Sequence, residues 1–479
     1  MEVPLIIGGQ EVQEASGGET KIIDPSTGDV LGTAVLAGEE EAARAAEQAR
    51  AHFDAGSWRR MKPFERGRVL LRVGDALMRD RDELARLESL ESGKPLRDAY
   101  WEVDCSARFF EFYGGYVDKI QGSSVPLGPG FMDWTVREPI GVSLHIVPWN
   151  YPLQVAVRGV APALAAGCTV IIKPATETPA SAYRLARIAE GAGLPQGTLS
   201  VVTGEGRTVG DALARHRAVD QITFTGSVPT GQKVLEAAAS HTIPTIMELG
   251  GKSAQIVYPD ADLDRILPIL NQGMYLHAGQ VCNAGTRLVI HEAVEDRVVE
   301  ELHGLIRQMR LGHALDDPDM GPVISQEQKA NVEEYLDIAE SEGGRVLIGA
   351  DLPDEPRLAN GYFARPALVT NITNDARVAQ EEIFGPILSV IGYTDEDEAI
   401  RIANQSPFGL VAGVFTSSID RAMYASQELR VGQVWVNSFG VGLDVEFPFG
   451  GYKASGFGRE KGLEALNAYL QVKNTCVAF

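Results

Sequence analysis

Cys282 is the residue of this chain whose surroundings best suit a nucleophile. It lies in His277-Ala278-Gly279-Gln280-Val281-Cys282-Asn283-Ala284-Gly285-Thr286-Arg287, where small residues let a substrate and the backbone come close to the thiol. A thiolate can add to a carbonyl carbon, but the oxyanion then formed needs hydrogen-bond donors. A hydride leaving that carbon needs an acceptor, and an acyl group left on sulfur needs an activated water. Glu248, in Ile246-Met247-Glu248-Leu249-Gly250-Gly251-Lys252, ends an apolar strand just before paired glycines. A carboxylate there either caps the following turn or acts as a general base, tuned by partial burial to deprotonate Cys282 or the water. Asn150, in Pro148-Trp149-Asn150-Tyr151-Pro152, closes another strand and offers a side-chain amide as oxyanion donor. Taken alone, that string is also an ordinary turn with Asn in its loop role. The other cysteines, Cys105, Cys168 and Cys476, are expected to be small buried hydrophobes.

A hydride acceptor implies a cradle for phosphates. The GxGxxG fingerprint is absent, and the nearest string, Gly204-Glu205-Gly206-Arg207-Thr208-Val209-Gly210, has one residue too many. Phe224-Thr225-Gly226-Ser227-Val228-Pro229-Thr230-Gly231 runs from a strand into a helix, whose N-terminal amides suit a phosphate. Lys173, at the end of an apolar run, can reach a ribose or a phosphate. Each of these is also plain strand-to-helix turn chemistry when taken singly.

The elements that must position these groups alternate. Short β-rich runs at 142–147, 169–172, 199–202, 221–224 and 245–247 are separated by helical patterns at 154–166, 181–192, 208–216 and 230–240. That order predicts a parallel sheet covered on both faces. A second alternation starts at 254–257, continues through a helix at 294–309 and ends beyond 431–436, which places a boundary near Gly250-Gly251. The first hundred residues read as helix after a short β-like start, with helical spacing over 39–53 and 64–90. Glycine-rich 440–458 reads as a long shaped loop.

The chain has 479 residues, 44% hydrophobic and 23% charged, more than one hydrophobic core usually supports. Lys and Arg number 43 against 65 Asp and Glu, a formal charge of −22, which opposes a nucleic-acid partner. No apolar run is long enough to span a bilayer and no signal peptide opens the chain, so a cytoplasmic protein free of the membrane is expected. Four scattered cysteines without a CxxC pair or Cys/His cluster predict no disulfide framework and no metal site.

Together these strings resemble the aldehyde dehydrogenase superfamily, from about Asp24-Pro25 to Lys473. The likeness covers Leu87-Glu88-Ser89-Leu90-Glu91-Ser92-Gly93-Lys94-Pro95, the segments around Asn150, Lys173, Gly226, Glu248 and Cys282, then Glu381-Glu382-Ile383-Phe384-Gly385-Pro386 and Pro448-Phe449-Gly450-Gly451-Tyr452-Lys453-Ala454-Ser455-Gly456. The resemblance implies an NAD(P)-dependent oxidation of a small-molecule aldehyde through a Cys282 thioester. In it Glu248 is the base, and Asn150 with the Cys282 amide forms the oxyanion hole. It implies cofactor contacts from Ile146, Pro148, Trp149, Lys173, Ala175, Thr176, Gly206, Gly210, Phe224, Gly226, Ser227, Thr230, Leu249, Glu382 and Phe384. It also implies an α/β fold of three parts: a Rossmann-like cofactor domain (1–120 and 138–249), an α/β catalytic domain (250–447) and a small β oligomerisation domain (121–137 and 465–479). A homodimer or homotetramer follows from the last.

Alternatives within the resemblance are an acyl transfer to coenzyme A, against which the presence of Glu248 argues, and an inactive relative, against which the intact Cys282, Glu248 and Asn150 argue. A cysteine hydrolase would need a histidine partner that no motif supplies. Thr176, three residues after Lys173, stands where many NAD-preferring relatives carry Glu, so NADP is expected alongside NAD unless Glu177 turns inward. Arg158, eight residues after Asn150, matches an arginine that binds the distal carboxylate in succinate-semialdehyde dehydrogenases. It either does so here or pairs with an acidic neighbour. Tyr151, Tyr275 and Phe439 are expected near the substrate tunnel, which equally suits an aromatic aldehyde.

Overall fold

The computed structural model describes residues 1–440 and 444–479; part of the glycine-rich 440–458 stretch, residues 441–443, lies outside the described residues. Among the described residues the larger of two main sheets has eight strands. From edge to edge they are Gly456–Phe457, Thr245–Glu248, Gln221–Thr225, Val142–Ile146, Thr169–Lys173, Leu199–Val201, Leu5–Ile7 and Gln10–Val12. The five from Thr245–Glu248 to Leu199–Val201 are parallel, and antiparallel strands close both sides. Apolar residues such as Val170, Ile171 and Ile172 run continuously through the middle because helices cover both faces. On one side the fully buried helix Pro152–Ala166 joins Leu70, Phe109, Phe110 and Leu164 in one core; on the other, Ala42, Ala45 and Ala49 pack on Leu144 and Ile171.

The smaller main sheet has seven strands, ordered Arg345–Ile348, Ala367–Thr370, Ile387–Tyr393, Arg287–His291, Ala254–Val257, Val411–Phe415 and Gln433–Val436, parallel except at the Arg345–Ile348 edge. The chain crosses from one sheet to the other between Glu248 and Ala254. A third, three-stranded sheet pairs Phe131–Pro139 with Leu470–Ala478 on one side and Ser124–Val125 on the other. The α/β class expected from the alternation is the class observed.

Two sequence expectations change. The 64–90 helix is two helices, Pro63–Arg79 and Arg81–Ser92, because Asp80 leaves helical geometry (ψ 15°) and flanks both; Asp competes for backbone hydrogen bonds and so favours helix ends. Cys476 is exposed rather than buried, since it lies on the open Leu470–Ala478 strand, whereas Cys105 and Cys168 are buried as expected. Helix Leu96–Gly114, unmarked in the sequence reading, packs on Pro63–Arg79 and on Pro152–Ala166. Among the described residues no helix is long and apolar enough to cross a membrane.

Candidate active site

Strand ends deliver the reactive groups. Glu248 is the last residue of Thr245–Glu248, and Asn150 follows Val142–Ile146 and precedes Pro152–Ala166, so both sit where parallel strands feed into turns. Cys282 comes from the other half of the chain, in the irregular segment between the helix Leu263–Tyr275 and the strand Arg287–His291. That segment is held in a sparsely populated shape: His277 and Ala278 have φ of +48° and +55°. Each costs on the order of 1–3 kcal/mol and survives only where packing over-determines it. Gln280 does much of the fixing, its side chain accepting from the Ile324 amide (2.9 Å) and donating to the His277 carbonyl (3.2 Å).

The three groups face one cavity of about 820 Å³ between the two sheets. Asn150 Nδ2 donates to the Gln280 carbonyl at 2.9 Å, which ties the Asn150 turn to the Cys282 segment. A carboxamide has two N–H donors, so one remains for an oxyanion. Behind Cys282 the backbone is tight: a Cβ at Gly251 would stand 2.3 Å from the Cys282 carbonyl oxygen. Burial pushes the Cys282 thiol up to about 12; Arg158 lowers it, while the Glu248 and Glu382 carboxyls raise it. The Cys282 thiol is therefore protonated at rest, and could act as a nucleophile only once it loses that proton.

Glu248 is 2% exposed, and neither of its oxygens has a hydrogen-bond partner in the protein. Burial holds its carboxyl well above the usual carboxylate range; Glu460 adds to this, against Arg158 and Arg459. Glu460 had no place in the sequence reading. Its Oε2 lies 2.5 Å from Arg158 Nη2, with the two side chains 1% and 5% exposed. Arg158 thus lines the cavity with its charge committed to an acidic neighbour, the second of the two roles its position allowed. Its guanidinium also sits 5.0 Å over the Phe449 ring.

Of the other residues expected near substrate, Tyr151 lines the cavity, in edge contact with Trp101 (6.2 Å) and stacked under Lys94 (4.3 Å). Tyr275 and Phe439 do not. Tyr275 turns into the core of the seven-stranded side and donates to the Ala367 carbonyl at 3.0 Å. Phe439 fills the space above Gly273 and Gly413, where a Cβ would meet its ring at 2.9 and 2.8 Å. Leu276, Trp435, Phe447, Phe449 and Lys461 form cavity wall instead. The signal for the last was the charged triple Arg459-Glu460-Lys461 directly after a glycine-rich run.

The opposite part of the cavity could hold a dinucleotide. Pro148, Trp149, Gly226, Ser227, Leu249, Glu382 and Phe384 line it, with Thr225, whose buried hydroxyl has no partner. Helix Val228–Ala239 begins there; Pro229 has no N–H, which leaves the Val228 and Thr230 amides of its first turn for phosphate oxygens. Glu382 Oε1 accepts the Gly251 amide at 3.0 Å, and a Cβ at Gly250 would stand 2.0 Å from Glu382 Oε2. Burial pushes Glu382 up to about 7, against the Gly251 amide and Lys252. Phe384, at φ +56°, packs edge-on to Trp149 at 5.4 Å; Gln328 donates to both the Ile383 and Phe384 carbonyls and fixes that loop. Ile146, Lys173, Ala175, Thr176, Gly206, Gly210, Phe224 and Thr230 lie outside this cavity wall. Among them Thr230 bonds Ser227 (3.0 Å), and Phe224 packs under Gly226, where a Cβ would meet its ring at 2.7 Å. Lys173 is buried and donates to the Pro174 carbonyl. Among the described residues no group of three or more His, Cys, Asp or Glu could hold a metal.

The aldehyde dehydrogenase family model matches residues 12–475. Aldehyde dehydrogenase 1 of Tanacetum cinerariifolium is 40% identical over 472 residues, covering 98% of this chain and 94% of that protein. A benzaldehyde dehydrogenase of Antirrhinum majus is 40% identical over 99% of this chain and 88% of its own length. The crystal structure of betaine aldehyde dehydrogenase from Staphylococcus aureus in complex with NAD+ is 37% identical and superposes with a TM-score of 0.97 over 99% of this chain and 95% of that one.

Proposed function

The chain belongs to the aldehyde dehydrogenase family and oxidises aldehydes with NAD, and from that premise we propose that Cys282 carries the acyl group as a thioester which water, deprotonated by Glu248, then hydrolyses. The observation that carries this reading is the convergence of Asn150, Glu248 and Cys282, from three separate segments, on one cavity that also holds Glu382 and the Thr225–Ser227 turn. Bound NAD supplies the hydride acceptor. Cys282, half-buried and so within reach of solvent water that takes its proton, bonds to the aldehyde carbon, and the free Asn150 N–H with the Cys282 backbone amide steadies the oxygen that becomes negative. Glu248, its carboxyl held well above the usual carboxylate range by burial and by Glu460, is in its ionised form a stronger base than a free carboxylate. Glu382, in the cavity wall, would hold the ribose beside the nicotinamide.

On substrate, the wall of Trp101, Tyr151, Trp435, Phe447 and Phe449 supports an aromatic aldehyde. A quaternary-ammonium aldehyde, the substrate in the Staphylococcus protein's name, is disfavoured because Arg158 already covers the Phe449 face and Lys461 lies 5.0 Å over Phe447. For the cofactor, the Thr176 hydroxyl donates to Glu177 Oε2 at 3.2 Å, and Glu177 lines the cavity. A carboxylate there repels a 2′-phosphate, so NAD is the preferred form. The three-stranded sheet leaves Phe131, Met132, Val472 and Phe479 exposed, which supports a homo-oligomer built through that face.

Rapid-mix kinetics test the mechanism. Cys282→Ala abolishes NADH formation, whereas Glu248→Gln retains a first-turnover burst and loses steady-state turnover. A Cys282→Ala enzyme with near-normal turnover, or a Glu248→Gln enzyme slowed equally in both phases, refutes the assignment.

A further inference from the structure

Lys461 is a cation in the substrate wall with no acidic partner. Its ammonium stands 5.0 Å over the Phe447 ring and 5.6 Å over Phe449, and its one hydrogen bond goes to the Asp444 carbonyl at 3.2 Å. Among the described residues no carboxylate lies within 4 Å of it. Glu460, next in sequence, is spent on Arg158, and the Asp444 and Glu460 charges reach Lys461 only from farther away. An ammonium has three N–H donors, so among the described residues two are unanswered here, on a half-buried group. A buried charge is costly unless it is paired. The backbone holds it there at a price: Lys461 has φ +61°, strained for a residue with a side chain. At that position its side chain meets the cavity.

Resting on the reading that this cavity oxidises aldehydes, we infer that Lys461, and not Arg158, sets substrate choice by pairing with a carboxylate at the far end of an aromatic or similarly flat aldehyde. The aromatic wall takes the body of such a molecule, its aldehyde meets Cys282, and its carboxylate supplies the two missing acceptors on the ammonium. No bond is made or broken at Lys461; its part is binding.

The test compares 4-carboxybenzaldehyde with 4-methylbenzaldehyde in wild type, Lys461→Met and Lys461→Arg, with terephthalate binding to each protein measured by calorimetry. A charge-assisted pair lost to Met lowers the ratio of kcat/KM for the carboxylate over the methyl substrate about 10- to 100-fold and weakens terephthalate by a similar factor. Arg restores most of both. An aldehyde bearing a trimethylammonium group moves oppositely, improving in Lys461→Met. A ratio unchanged in Lys461→Met, with terephthalate bound equally, overturns the inference. Should neither aldehyde be oxidised by wild type, the proposed function fails while terephthalate binding still decides: weakening in Lys461→Met upholds the anion site, and equal binding rejects it.

Discussion

Gly251→Ala is the smallest change that reaches both halves of the reaction. The added methyl would lie 2.3 Å from the Cys282 carbonyl oxygen, where ordinary contact begins near 3.4 Å, so about 1.1 Å of overlap has to be relieved. The obstructing atom is backbone, on a segment pinned by Gln280 and by Asn150 Nδ2, so no flexible side chain can give way. The Gly251 amide also holds Glu382 Oε1 at 3.0 Å, and moving it moves the Glu382 carboxylate proposed to hold the cofactor. A displacement of about 1 Å at the reacting atoms costs about 100-fold in rate. The expected outcome is a kcat/KM about 100-fold lower, with KM for NAD also raised, slower alkylation of Cys282 by iodoacetamide, and a folded protein. Gly304→Ala is the control: it lies in the helix Glu292–Gln308 with nothing within 4 Å of the added carbon, and it stabilises by up to about 1 kcal/mol. A Gly251→Ala enzyme with wild-type kcat/KM and alkylation rate would refute the claim that the glycine is there for the thiol's backbone.

Glu460→Gln removes a negative charge that raises the Glu248 pKa and frees Arg158, which lowers it. Both changes favour ionised Glu248, so the acid limb of kcat/KM against pH moves to lower pH, by about 1 unit for about 1.4 kcal/mol of lost repulsion; a shift upward, or none, sinks this account of the base. Asn150→Ala loses an oxyanion donor and the bond to the Gln280 carbonyl, and kcat falls about 100- to 1000-fold. Equal losses in kcat and in substrate affinity would assign Asn150 to binding. Glu177→Gln raises kcat/KM with NADP relative to NAD at least about fivefold, as expected for removing one like-charge contact of about 1 kcal/mol, and an unchanged ratio removes Glu177 from cofactor choice.

The chemistry was more legible in the sequence than its surroundings. Glu248 and Asn150 stand out because each is a reactive type placed where an apolar strand breaks into glycine or proline, and Cys282 because small residues surround it; such signals are local. Arg158 shows the limit: its position could be read, but its partner Glu460 belongs to another segment and only the fold joins them. Tyr275 and Phe439 mark a second limit, since aromatic type does not tell which way a ring points; Tyr275 turned into the core to satisfy its hydroxyl on Ala367. The helix break at Asp80 was missed because the apolar spacing continues across it, and one residue out of helical geometry leaves no gap in the pattern.

The pairing of Gly456–Phe457 against Thr245–Glu248 fixes an order of events in the birth of the molecule. Met247 and Glu248 find their edge partners in Phe457 and Gly456, and the Leu249 amide finds Ser455. A chain emerging from the ribosome therefore holds the strand that carries Glu248 for some two hundred residues with one side open, an invitation to pair with a neighbouring nascent chain. Premature termination between Phe384 and Ser455 yields a protein that holds Asn150, Glu248, Cys282 and Glu382 but lacks Glu460, with an adhesive edge beside Glu248. Such fragments should be cleared or aggregate rather than turn over substrate, so the last small strand acts as a seal that certifies a finished chain.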